Sequence, residues 1–98
     1  MHEKVIRKDG TIIELVIWRL PKATPDRPHG IKYRLYCGRG SKCLVRYDNE
    51  SGKGDHRHVL GREDRYEFVS VSKLRRDFEA DIAKYGGWNE KKDRDHGR

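Results

Sequence analysis

Between residues 31 and 37 the chain reads Ile-Lys-Tyr-Arg-Leu-Tyr-Cys, so that apolar and polar side chains alternate. Successive side chains of a β-strand point to opposite faces of its sheet. One face of this strand would then carry the apolar side chains, Ile31, Tyr33, Leu35 and Cys37. The other face would carry Lys32, Arg34 and Tyr36. The pattern predicts a strand with one face in a core and the other open to a ligand.

The flanking segments extend this strand into a meander. A turn at Gly38–Lys42 leads to a second apolar stripe, made of Cys43, Val45 and Tyr47. Towards the N-terminus, the Asp9-Gly10 dipeptide is a strong hairpin signal between two β-rich segments. Three prolines make residues 21–29 a loop. We also expect short strands at His56–Leu60 and at Tyr66–Val69.

The C-terminal third of the chain predicts one helix. Ser70 is a good N-cap, and apolar residues then recur along one helical stripe, Leu74, Phe78, Ile82 and Tyr85. Gly86-Gly87 ends the helix. The sequence therefore predicts an α+β fold, with an antiparallel meander of about five strands and one C-terminal helix packed on one face. Residues 1–87 would form a single domain, and the charged residues 88–98 a flexible tail.

Charge is concentrated in the middle of the chain. The 98 residues carry a net charge of +7, and residues 30–62 hold eight Lys or Arg against three Asp or Glu. A small basic domain is typical of proteins that bind a polyanion, most often a nucleic acid. No apolar stretch is long enough to cross a bilayer, and no signal peptide is present, so we expect a cytoplasmic protein without a membrane partner. Its two cysteines would be reduced thiols.

The stretch from Arg46 to His58 has the composition of a reactive site. His56 and His58 stand two positions apart, so in an extended chain both imidazoles share a face and Arg57 points away. Imidazole exchanges protons near neutral pH, which suits acid–base chemistry. Asp48 or Asp55 could orient an imidazole. The residues alone leave two alternatives open, a metal site and a polar loop that only binds phosphate.

The order of several short motifs resembles the TumE family, toxin components of bacterial and archaeal toxin–antitoxin systems. The similar segments are Tyr47-Asp48-Asn49, Gly52-Lys53-Gly54-Asp55-His56-Arg57-His58, Tyr66-Glu67-Phe68-Val69-Ser70, Lys32-Tyr33-Arg34 and Ile13-Glu14-Leu15-Val16-Ile17-Trp18. The resemblance covers roughly residues 5 to 83. It implies a toxin of a type II system and a cognate helix-turn-helix antitoxin as its partner.

Together, these features lead us to expect a toxin that acts on RNA as a ribonuclease without a metal or other cofactor. General acid–base cleavage of RNA needs a base, an acid and a cation near the phosphate. The candidate catalytic residues are His56, His58, Asp48, Lys53 and Arg57. The candidate RNA-binding residues are Lys32, Arg34, Tyr36, Arg39 and Arg46.

Three questions stay open at the level of sequence. The chain could be a non-enzymatic toxin that binds nucleic acid, or a basic module that mainly receives an acidic antitoxin segment. A zinc site is an alternative for a Cys₂His₂ set, Cys37, Cys43, His56 and His58, although Cys-x₅-Cys is wider than the usual ligand spacing. Whether the chain forms a homodimer does not follow from the sequence.

Overall fold

The computed structural model describes residues 1–50 and 54–86, which form one antiparallel sheet and one helix. The strands are β1 (His2–Ile6), β2 (Thr11–Arg19), β3 (Ile31–Arg39), β4 (Lys42–Asp48), β5 (His56–Val59) and β6 (Arg62–Arg65), followed by helix α1 (Val71–Tyr85). Each strand pairs with the next along the chain. The predicted α+β class, the meander and the single C-terminal helix are confirmed, with six strands instead of about five.

The predicted Asp9-Gly10 hairpin is present between β1 and β2. Gly10 has a φ of 88°, which few other residue types adopt without strain. The Asp9 carboxylate accepts a hydrogen bond of 2.9 Å from the backbone N–H of Thr11, and this side-chain bond stabilises the turn. Ile6 then pairs with Ile12, so the local turn fixes the register of the first two strands.

The last strand lies earlier in the chain than the sequence predicts. We expected a strand at Tyr66–Val69, but β6 is Arg62–Arg65, and Val59 pairs directly with Arg62. Leu60 and Gly61 form the two-residue connection, with φ angles of 50° and 84°, as in a type I′ turn. The tight turn therefore determines where β6 begins. The sequence of β6 is charged and has no alternation of apolar residues from which the strand could be predicted.

Helix α1 covers one face of the sheet. The Ser70 hydroxyl accepts a hydrogen bond of 3.1 Å from the Lys73 N–H, which confirms the predicted N-cap. Three residues of the predicted helical stripe are buried, Leu74, Phe78 and Ile82. They pack against the apolar residues of β2, β3 and β4, which include Leu15, Tyr33, Leu35, Val45 and Tyr47. Burial of each large apolar side chain contributes roughly 1.5–3 kcal/mol, so this single layer holds the fold together.

A β-bulge between β3 and β4 changes the predicted apolar stripe of β4. Cys37 pairs with Val45 but Gly38 pairs with Cys43, so Leu44 is the extra residue. Leu44 and Val45 are both buried, whereas Cys43 is only half-buried. Cys43 therefore does not continue the stripe of Val45 and Tyr47 as the sequence predicts. The sheet face opposite α1 has no secondary-structure element packed against it within the described residues.

Candidate functional site on the open sheet face

A concave groove of about 370 Å³ lies on the open face of the sheet, across β3 to β6. Strand register builds it: Asp48 of β4 pairs with His56 of β5, and Arg46 pairs with His58. Because these residues are two positions apart on their strands, their side chains share the face opposite α1. The groove is lined by Arg34, Arg46, Asp48, Glu50, His56, His58 and Glu63. The two predicted imidazoles therefore lie side by side in one depression.

His58 contacts the guanidinium group of its cross-strand partner. Arg46 Nη2 lies 2.8 Å from His58 Nε2. A guanidinium group can only donate, so this contact requires a neutral imidazole that accepts at Nε2 and carries its proton on Nδ1. Glu63 Oε2 lies 3.8 Å from the same nitrogen, within ion-pair distance of a protonated ring but beyond hydrogen-bond distance. His58 thus has one partner for its neutral form and another for its charged form.

His56 lies beside a carboxylate. Its Nδ1 is 3.3 Å from Glu63 Oε1, within ion-pair distance but without hydrogen-bond geometry. His56 Nε2 is buried and has no hydrogen-bond partner among residues 1–50 and 54–86. A nearby carboxylate and an unpartnered ring nitrogen make His56 a candidate general base.

The groove carries charges of both signs. Arg46 Nε lies 2.8 Å from Asp48 Oδ2, so Asp48 contacts this guanidinium group, and no hydrogen bond joins it to an imidazole in the described part of the chain. Three carboxylates line the groove beside two guanidinium groups. The groove is therefore of mixed charge.

Arg57 lies on the other face of β5, towards α1. Its guanidinium group donates to both carboxylate oxygens of Asp81, over 2.6 and 2.8 Å, and to the Tyr47 hydroxyl over 3.0 Å. Tyr47 also donates to Asp81. The bidentate ion pair raises the pKa of Arg57, which stays charged. The structure does not bring Arg57 into the groove, because strand alternation turns it away from both histidines.

Asn49 and Asp55 also belong to the stretch from Arg46 to His58, and both make contacts that stabilise the fold. The buried Asn49 side chain donates to the Ile31 carbonyl over 2.8 Å and accepts from the Tyr33 N–H over 3.0 Å, so it continues the pairing beyond the end of β4. Asp55 accepts from the Tyr33 hydroxyl over 2.6 Å and lies 3.0 Å from His29 Nε2. Burial and the Asp55 carboxylate raise the pKa of Tyr33. Asp55 therefore orients His29, not His56 or His58.

Four of the five predicted RNA-binding residues have positions on the open face. Lys32, Arg34 and Tyr36 alternate along β3, and Arg46 faces them from β4. The Arg34 guanidinium carbon lies 5.0 Å from the centre of the Tyr36 ring. Arg39 does not join them.

Arg39 is instead held near the first hairpin and the end of α1. Its Nη2 pairs with Asp9 over 3.1 Å and reaches the Gly86 carbonyl over 3.4 Å. Its Nε donates to the Thr11 hydroxyl over 2.9 Å. These contacts place Arg39 on the helix side of the sheet, so we leave it out of the site.

The remaining sequence predictions concern a metal site and segments without described structure. Cys37 is fully buried in the core beneath α1, whereas His56 and His58 line the groove on the opposite face. The proposed Cys₂His₂ set therefore does not converge. Within residues 1–50 and 54–86, no group of three or more His, Cys, Asp or Glu residues is placed to hold a metal ion. Lys53 and the predicted tail 88–98 lie outside the described residues.

The structure adds residues that sequence reasoning missed. Glu63 contacts both imidazoles, because the β5–β6 register pairs it with His58. In the sequence, only Gly61 of the preceding turn indicated where Glu63 would lie, because a two-residue hairpin determines which residues of the two strands face each other. Trp18 also lies on the open face and is 55% exposed.

These features define a small α+β protein with one covered sheet face and one open face that carries paired histidines and arginines. A family model described as Toxin TumE matches residues 1–85. The chain belongs to this toxin family. Comparisons with curated proteins and with solved structures give no match. No helix in the described ranges has the length and apolar character needed to cross a membrane.

Proposed function

We propose that this toxin is the ribonuclease component of a type II toxin–antitoxin system and cleaves RNA without a metal ion. The observation that carries the proposal is the pair of imidazoles in one groove, with His56 beside Glu63 and His58 beside Arg46. Two histidines with different partners can hold different protonation states, which an acid–base pair requires. RNA supplies both the nucleophile and the leaving group, so few protein groups are needed.

The geometry supports a division of roles between the two histidines. In this mechanism the His56 ring turns so that Nε2, which is buried in the free protein, reaches the groove and takes the proton of the ribose 2′-hydroxyl, and the 2′-oxygen attacks the adjacent phosphorus. The bond from phosphorus to the 5′-oxygen breaks, and protonated His58 gives its proton to that oxygen. The products are a 2′,3′-cyclic phosphate and a free 5′-hydroxyl. Charge on the phosphate in the transition state is stabilised by Arg34 and Arg46.

Arg46 would link RNA binding to the state of His58. Without RNA, the guanidinium group donates to His58 Nε2 and lies against Asp48. A phosphate in the groove offers it a better acceptor, because charge-assisted bonds to phosphate are stronger than a bond to a neutral imidazole. Movement of Arg46 would free His58 Nε2 to bind a proton, with Glu63 as the nearby carboxylate.

A second candidate is a toxin that binds RNA or an acidic antitoxin segment without cleaving anything. One observation favours it: His56 Nε2 is buried, out of reach of a substrate in the free protein. In this alternative the histidines and arginines only position phosphate or carboxylate groups. It predicts the same dependence on Arg34 and Arg46, but no new RNA ends.

The test is incubation of the purified protein with RNA, with and without EDTA, followed by mapping of the new ends. We expect cyclic-phosphate ends, unchanged by EDTA, and a bell-shaped rate profile within about pH 5 to 8. His56→Ala and His58→Ala should each lower the rate by roughly 10²–10⁴-fold. His2→Ala is the matched control, because His2 is an exposed histidine on the edge strand β1.

Melting temperature and RNA affinity should stay close to wild type in all three variants. Cleavage that survives in His58→Ala would contradict the assigned roles. RNA binding without any new ends would favour the second candidate, and complete loss of activity in EDTA would exclude the metal-free mechanism. In cells, His58→Ala should abolish toxicity and still bind the antitoxin.

A further inference from the structure

Trp18 is a large apolar side chain at the end of β2 with 55% of its surface exposed. Ile17 and Leu15 of β2 are buried beneath α1. Because side chains alternate along a strand, Trp18 lies on the opposite face of the sheet. Its cross-strand partner is Lys32, which leads along β3 to Arg34 and Tyr36. An exposed indole ring therefore lies on the same open face as the groove, next to its basic side.

The distance from Trp18 to the groove suits a short segment of single-stranded RNA. Val16, Arg34, Asp48 and His56 form one cross-strand row, and Trp18 lies two residues from Val16 along β2. With strands about 4.8 Å apart and about 3.4 Å per residue, Trp18 is roughly 16 Å from His56 along the sheet. An extended strand covers that distance in about two to three nucleotides.

We propose that Trp18 is a base-stacking subsite for single-stranded RNA, with Lys32 beside it to bind the adjoining phosphate. The inference rests on the proposed function in one respect, which is that RNA binds to the open face of the sheet. Aromatic rings on an open sheet surface, with basic residues between them, bind bases by stacking and the backbone by charge. Tyr36 offers a second ring on the same face of β3, in the cross-strand row of Arg46 and His58, and is partly covered by the Arg34 guanidinium group.

Charge favours RNA over a second copy of this chain as the occupant. The residues around Trp18 on this face of β3 are Lys32 and Arg34, and the whole chain carries +7. Two copies facing each other here would bring like charges together, which is unfavourable. A polyanion with flat bases matches both the cations and the indole ring.

Binding is measured by fluorescence of a His58→Ala variant, so that cleavage does not interfere. Trp88→Phe is added, because the chain has two tryptophans and Trp18 then reports alone. Oligouridylates of two and six nucleotides are titrated over a salt series. We expect the hexanucleotide to quench Trp18 fluorescence, and the dinucleotide to bind in the groove without quenching it.

Affinities of the substituted proteins are measured with end-labelled RNA. Trp18→Leu should weaken hexanucleotide binding roughly tenfold or more and leave dinucleotide binding unchanged, while Trp18→Phe keeps most of the affinity. Val69→Ala is the matched control, since Val69 is an apolar residue with 62% exposure outside the sheet. It should change neither affinity.

The outcomes separate this subsite from the catalytic proposal. Quenching by the hexanucleotide in a protein that never cleaves RNA supports the subsite and contradicts only the catalytic roles. Cleavage without quenching, or equal affinity of Trp18→Leu for the hexanucleotide, overturns the subsite. If Trp18→Leu instead abolishes self-association in sedimentation and leaves RNA affinity unchanged, the face binds a second copy and the proposal is wrong.

Discussion

Arg57 stands between the two candidate catalytic histidines in sequence, yet it belongs to the fold. It joins β5 to α1 through Asp81, which is 8% exposed and also accepts from Tyr47. An Asp81 carboxylate without this partner would be a largely buried charge with one neutral donor. Removal of one member of such a pair costs more than the pair itself contributes.

Arg57→Met should therefore lower the free energy of unfolding by about 2–3 kcal/mol, measured by urea denaturation. Arg62→Met is the matched control, because the Arg62 side chain is 82% exposed on β6, and it should change stability by less than about 0.5 kcal/mol. Equal stabilities of the two variants would show that the Arg57–Asp81 pair does not hold the helix to the sheet.

Gly38 makes room for the ring of Tyr36. A Cβ atom at position 38 would lie 2.0 Å from the Tyr36 hydroxyl oxygen and 2.8 Å from the Lys42 carbonyl oxygen. Gly38→Ala should thus destabilise the protein by about 1–3 kcal/mol and displace the ring from Arg34. In a double-mutant cycle, Tyr36→Ala should recover part of this loss, though not the clash with the backbone. Strict additivity would mean that the ring does not lie over Gly38.

At the scale of elements, the β5–β6 hairpin carries a local strain that a substitution can relieve. Leu60 has a φ of 50°, which is unfavourable for a bulky side chain, and it is 52% exposed. Leu60→Asn should stabilise the protein by about 1 kcal/mol, because asparagine tolerates this conformation in type I′ turns. Leu60→Ala keeps the strain and should give no such gain, so the two thermal unfolding curves test the explanation.

Alternation and turn chemistry were sufficient to predict most elements. The β3 pattern, the Asp9-Gly10 turn and the Ser70 cap are local signals, and the structure confirms each of them. β6 and the bulge at Gly38 could not be predicted, because they follow from pairing with a neighbouring strand. In the site, the two-residue spacing of His56 and His58 was enough to predict that both side chains lie on one face of the sheet. The contacts of Asp81 with Arg57 and of Asp9 with Arg39 join residues distant in sequence, and those of Glu63 depend on the β5–β6 register, so they could be known only from the fold.

At the scale of the whole molecule, two buried tyrosines and one half-buried tyrosine make stability sensitive to high pH. Burial, followed by hydrogen bonds to carboxylates, raises the pKa values of Tyr33, Tyr47 and Tyr66. Their stabilising contribution is complete below the unfolded value of about 10 and is lost as pH rises from there towards the folded values. Unfolding free energy should fall above about pH 10, by about 1.4 kcal/mol per pH unit for each such tyrosine.

Urea denaturation between pH 9 and 11.5 measures this loss, and tyrosinate absorbance of the folded protein identifies its source. Absorbance from Tyr33, Tyr47 and Tyr66 should develop only as the protein unfolds. If all five tyrosines of the chain ionise together near the free-tyrosine value in the folded state, the buried hydroxyl–carboxylate bonds are not present.

The separation of the two sheet faces has a practical consequence for making this protein. Because the core lies under α1 and the histidines lie on the opposite face, a substitution at His58 leaves the packed layer untouched. A toxin that arrests its host is hard to produce in quantity, and its own antitoxin must otherwise be purified with it. The His58→Ala protein should accumulate alone in growing cells and can then serve as folded bait for isolating an antitoxin and for testing the proposed binding of RNA.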